Sequence, residues 1–153
     1  MKKVLLLIVI LILITGCNNK EEIEKNDYLL MKSSLLEAKK YTNIKELPCD
    51  LIVDVKRVDN EKVSYEVVLS NAKEDLNDLK VIVVHNYYTE DVFPSIGFFD
   101  KGKDLKINDE NNIILKGKIE TSEDIDKLNL ELKILIRYKD SNNKIKDIYY
   151  KTT

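Results

Sequence analysis

The spacing of apolar side chains changes twice along this chain. Residues 4–14 are apolar without a break. Extended to Gly16, the run would make a helix of only about 20 Å, short of the roughly 30 Å hydrocarbon core of a bilayer. Lys2 and Lys3 precede it, and the small pair Thr15 and Gly16 leads into Cys17. That is the charged, apolar, small order of a secretory signal rather than of a membrane span. Residues 18–26 carry one apolar side chain, Ile23, and read as a solvated, flexible spacer. Helical spacing begins after it. Tyr28, Met31, Leu35 and Ala38 recur at intervals of three, four and three, with Leu29 and Leu36 beside them on the same side. The spacing predicts a short amphipathic helix from Asp27 to about Tyr41, with Asp27 as its N-cap.

Beyond Pro48 the period becomes two. Leu51, Val53 and Val55 alternate with Ile52, Asp54 and Lys56, and Val63, Tyr65, Val67 and Leu69 face away from Ser64 and Glu66. These are strands with one wet face. Asp59 and Asn60 between them tolerate the left-handed backbone of a tight hairpin. Further strands are predicted at residues 79–88, 105–107, 112–120, 128–138 and 144–151; the alternation of Leu128, Leu130, Leu132, Ile134, Ile136 and Tyr138 is the most regular. Seven strands without an intervening helix predict a mainly β protein, an antiparallel sandwich preceded by the short helix. Four glycines stand against fourteen asparagines, many of them between strands, so asparagine takes turn positions that glycine often fills.

Leu13, Ile14, Thr15, Gly16 and Cys17 resemble the lipobox of bacterial lipoproteins. The resemblance implies that the Cys17 sulfur receives a diacylglyceryl group and that a peptidase then cuts before Cys17, removing residues 1–16. Anchoring would then be firm, because one acyl chain holds a protein marginally and two or three hold it well. The expected organisation is a cleaved signal peptide at 1–16, lipidated Cys17 and spacer at 17–26, helix and connection at 27–47, and a β-sandwich at 48–153. The competing use of Cys17 is a disulfide with Cys49, the other cysteine. With Cys17 lipidated, Cys49 is a lone thiol before a strand, where a small buried hydrophobe is its usual role. The strand count and spacing resemble a small immunoglobulin-like or fibronectin-like domain, without the paired cysteines and tryptophan of antibody domains.

Charge and motifs exclude several functions. Loss of Lys2 and Lys3 with the signal leaves 23 basic residues against 27 acidic ones and moves the net charge from −2 to −4. The charges are interspersed, so no nucleic-acid partner is expected. His85 is the only histidine and no zinc-type cysteine pair occurs, so no metal site or other cofactor is expected. Ser95 lacks the glycine two residues earlier that a nucleophile elbow needs. Glu74 with Asp75 and Glu123 with Asp124 are carboxylate pairs of the kind a charged surface produces. The acidic loop at residues 108–112 lacks the glycine and distal glutamate of a calcium loop and reads as a turn. No catalytic residue is assigned, and the chain reads as a non-enzyme.

Residues 85–100 differ from the rest. Phe93, Phe98 and Phe99, all the phenylalanines of the chain, fall within seven residues, just after Tyr87 and Tyr88. Pro94 interrupts strand pairing there. Two readings compete. In one, the phenylalanines fold over an open end of the sandwich and complete its core. In the other, Tyr87, Tyr88 and some of Phe93, Phe98 and Phe99 form an apolar platform for an envelope protein or a glycan, with His85, Asn86 and Asp91 supplying polar contacts. The expected function is a membrane-anchored lipoprotein on the extracytoplasmic face that displays an interaction module. The alternative is an envelope protein that binds a small molecule or glycan through residues 85–100.

Overall fold

The computed structural model describes residues 2–152, with side chains from residue 20 onward. Helix α1 spans Lys2–Glu37. Eight strands follow: β1 (Asp50–Asp59), β2 (Lys62–Ser70), β3 (Leu76–His85), β4 (Ser95–Ile96), β5 (Lys103–Leu105), β6 (Ile113–Glu120), β7 (Leu132–Lys139) and β8 (Ile145–Lys151). They form two antiparallel sheets, one ordered β1-β2-β6 and the other β4-β3-β7-β8, with β5 also pairing β3. The fold is mainly β. Each of the seven expected strands is present, shifted at its ends, and the eighth is β4, two residues that pair with Val81 and Ile82. A strand of that length carries no alternation to read.

The sheets face each other across the main core. Tyr65, Val67, Leu69, Leu115 and Ile119 come from one sheet, and Val81, Val83, Ile134, Ile136 and Tyr138 from the other. The second sheet is also covered on its far face, where Ile82, Val84 and Leu135 pack against Tyr28, Met31 and Leu35 of α1 and against Phe98. This explains the run of Val81, Ile82, Val83 and Val84: a strand covered on both sides loses its wet face and its alternation. Cys49 is a free thiol buried in the main core. Burial, with the Asp50 charge adding to it, pushes its pKa up to about 11.

The helix departs from expectation in four ways. Residues 18–26 are helical rather than an irregular spacer. No glycine or proline lies between Cys17 and Glu37, the segment is rich in the helix formers Glu and Lys, and Lys20 pairs with Glu24 one turn on at 3.7 Å. Asp27 is consequently not an N-cap. Its carboxylate instead pairs with Lys80 and lies 4.0 Å from Arg137, which grips Asp147 through two bonds of 2.6 and 2.7 Å. Leu29 and Leu36 are each 48% exposed, because each sits about 100° round the helix from Tyr28 or Leu35 and beyond the strip a sheet surface can cover. Ala38 lies just past the helix end.

Asparagine does supply left-handed backbone, at Asn71, Asn108 and Asn143, but the β1–β2 hairpin needs none. There Asp59 Oδ1 accepts from Glu61 N at 2.8 Å in a side-chain-closed turn. The loop at 108–112 is closed the same way, with Asp109 Oδ1 accepting from Asn111 N at 2.9 Å.

Candidate binding site

Residues 85–100 are shaped by a few specific constraints. Pro94 cannot donate, but its carbonyl accepts from Val83 N at 3.0 Å, and the next two residues pair with β3 as β4. Gly97 then turns the chain with φ of 80°; a Cβ there would stand 2.5 Å from Leu79 O. Its N–H donates to Asp100 Oδ1 at 2.8 Å.

This path separates the aromatics that the sequence presents as one group. Phe98 is 2% exposed and meets the Tyr28 ring edge to face at 5.6 Å; Phe99 is exposed beside the same ring. Tyr87 is half-buried, with its hydroxyl donating to Glu123 at 3.0 Å. Asn86 donates to Asn129 O at 2.8 Å and accepts from Glu131 N at 2.9 Å, so it fastens the connection before β7. Tyr88 is 83% exposed and donates to Glu90 at 3.1 Å. Of the expected residues, His85, Tyr88, Asp91 and Phe93 border a concave feature on this side.

That feature is a groove between β6 and residues 89–94. Its inner part, about 400 Å³, is lined by Tyr65, His85 and Phe93 below, Thr89 and Asp91 on one wall, and Lys116, Gly117 and Lys118 on the other. It continues past Thr89, Asp91 and Lys118 into a second part of about 600 Å³ bordered by Lys62, Tyr88, Glu90 and Glu120. The size is that of ligand clefts generally.

Two side chains in the inner part have unmet hydrogen-bonding capacity. The Tyr65 hydroxyl is buried and has no hydrogen-bond partner among the described residues; the residue is 1% exposed. Its ring reaches across the ladder over its strand partner Gly117, where a Cβ would fall 2.2 Å from Tyr65 Cζ. His85, 7% exposed, has its Nδ1 3.1 Å from the Tyr87 carbonyl. A carbonyl only accepts, so Nδ1 carries the proton and Nε2 presents a lone pair. Burial lowers the His85 pKa against the opposing pull of that hydrogen bond, which keeps the ring neutral at pH 7. Phe93 packs on the His85 ring at 5.0 Å, and its N–H donates to the Tyr28 hydroxyl at 3.2 Å, tying the groove floor to α1.

Tyr65, Lys116, Gly117 and Lys118 were not among the residues expected at a site. The signal available in sequence was Gly117, a glycine in the middle of a strand pattern, which marks close approach of another group. Among the described residues no group of three or more His, Cys, Asp or Glu side chains could hold a metal ion, and no helix is long and apolar enough to cross a membrane.

A family model described as prokaryotic membrane lipoprotein lipid attachment site matches residues 1–18. The match supports a membrane-anchored bacterial lipoprotein whose remaining residues form the mainly β fold described above. No curated protein and no solved structure matches the chain.

Proposed function

We propose that this lipoprotein is held on the extracytoplasmic face of the cell membrane through lipid on Cys17, after loss of residues 1–16, and that its sandwich is a non-enzymatic binding module with the β6 groove as receptor site. The fold is read as immunoglobulin-like: β1, β2 and β6 take the places of strands A, B and E, and β3, β7 and β8 those of C, F and G. The observation that carries the receptor reading is the Tyr65 hydroxyl. A buried hydroxyl without a partner costs about 1–3 kcal/mol, which a ligand that bonds it returns on binding. His85, whose ring stands edge-on 5.7 Å from the Tyr65 ring, offers Nε2 as an acceptor. A binding role fits the lining better than catalysis does: it includes no serine or cysteine, and the Thr89 hydroxyl already accepts from Asp91 N at 3.0 Å. The small-molecule or glycan alternative draws support from one feature, the exposed ring of Tyr88 at the outer end of the groove.

A photo-crosslinking side chain at Thr89, in the mature lipoprotein in its own membrane, tests the site. An adduct that forms in wild type and weakens in Tyr65→Phe is expected. No adduct, or one indifferent to Tyr65→Phe, would remove the groove as receptor.

A further inference from the structure

We infer that the groove takes an extended peptide segment of a partner protein, added as a strand to the free edge of β6. The inference rests on the groove being the receptor site proposed above. β6 ends its sheet, with β2 on one side and, among the described residues, no strand on the other. Just beyond it, Thr121 N donates to Glu61 O at 2.8 Å, and the register runs on through Lys62 with Glu120 and Tyr65 with Gly117. Hydrogen-bonded and open pairs alternate in an antiparallel ladder. The backbone groups of Ile113, Leu115, Gly117 and Ile119 therefore point to β2, and those of Ile114, Lys116, Lys118 and Glu120 point outward. Such a row of N–H and C=O groups, about 20 Å long, is what an incoming strand pairs with. Residues 89–94 on the facing wall make no backbone hydrogen bond to β6 among the described residues, so the gap is not already closed.

The second observation is independent of the edge. A residue of the added strand opposite Gly117 falls at an open pair, where side chains come closest. If it points inward, its side chain meets the Tyr65 hydroxyl and His85 Nε2, so an amide or hydroxyl there satisfies both. On the outer face Lys116 is engaged with Glu66 at 2.9 Å, whereas Lys118 has no ion-pair partner among the described residues. Edge lysines discourage indiscriminate pairing, so they favour a strand with an acidic outward residue. The other edges carry less. Thr42 N already donates to Tyr149 O on β8 at 2.7 Å, and the apolar slot beside β1, about 420 Å³ and lined by Val53, Val55, Leu128 and Leu130, holds no unpartnered polar atom among the described residues.

The test uses the mature lipidated chain in nanodiscs and a displayed library of random linear dodecapeptides. Enriched peptides should bind Lys118→Ala within roughly threefold of wild type. Lys118→Pro deletes one outward N–H without touching the β2 ladder, at an edge position where proline is tolerated, and should weaken them roughly tenfold further. Equal affinity for the alanine and proline variants overturns the inference. Hydrogen exchange on wild type gives the same decision without a variant: peptide should slow the Lys116 and Lys118 amides, and unchanged exchange there rejects strand addition. Failure to enrich any peptide also overturns it. If a panel of cell-wall oligosaccharides instead shows Tyr65-dependent binding, the receptor site stands with a different occupant. Loss of Tyr65 dependence in the Thr89 crosslink overturns both.

Discussion

Replacing Tyr65 with phenylalanine removes a single oxygen atom, and the fold should be as stable or more so. That oxygen is buried without a partner among the described residues, a situation that costs about 1–3 kcal/mol, so its loss should leave the urea midpoint unchanged or raise it. A loss above about 1 kcal/mol would show that the hydroxyl is satisfied in solution. Its neighbour His85 makes a pH prediction of fixed sign. Burial places its folded pKa below the ordinary 6.5, so between the two values the unfolded chain holds more protons than the folded one. The stabilisation is complete above pH 6.5 and is lost as pH falls through the folded value. Melting temperature followed against pH should show this decline in wild type and a flatter curve in His85→Gln; an identical slope would place His85 in water. The pairing of the two was not readable in the sequence. His85 is a candidate polar contact of residues 85–100, with nothing to show that it is buried, and Tyr65 is only one inward position of β2. What joins them is the apposition of two sheets, which no local pattern encodes. Gly117 was the visible trace, since a glycine within "IILKGKIE" leaves room for a ring from the next strand.

At the scale of elements, periodicity was a good guide wherever one face of an element is wet. Tyr28, Met31 and Leu35 are buried as their spacing requires, and β1, β2 and β6 follow their alternation, which β7 breaks at Leu135, buried on the helix-covered face. It was silent where both faces are covered, as in β3, and where an element is held by propensity and charge rather than a stripe, as in residues 18–26. The docking of α1 divides its leucines sharply. Leu35 is fully buried between helix and sheet, and Leu35→Ala should cost about 2–5 kcal/mol; Leu30 is exposed, and Leu30→Ala should change stability by less than about 0.5 kcal/mol. Urea unfolding of the two variants measures the difference directly. Similar small losses would mean that the helix is not part of the cooperative unit. The same docking fixes the aromatics: Phe98 is held under Tyr28 between helix and sheet rather than over an open end of the sandwich, whereas Phe93 serves both the helix and the groove.

At the scale of the whole molecule, anchor and groove are connected through one helix. A chain cut before Cys17 begins inside α1, and ten residues later the same helix reaches Asp27, paired with Lys80, then Tyr28, whose hydroxyl holds the backbone of Phe93 at the groove floor. With the proposed lipid on Cys17, about 15 Å of helix separates it from Asp27. Lipidation at Cys17 is the premise, and it is open to a clean test. Cys49 cannot substitute for Cys17 as acceptor, because its thiol is fully buried and its pKa of about 11 keeps it protonated. Cys17→Ser should therefore abolish incorporation of labelled palmitate altogether, leave residues 1–16 attached by intact mass, and keep the melting temperature of the sandwich, whose core lies wholly beyond residue 27. Labelling and processing like wild type in that variant would move the anchor elsewhere. Retained labelling after Cys17→Ser but not after a further Cys49→Ala would mean that the core opens far enough to expose Cys49, contrary to its burial in the main core.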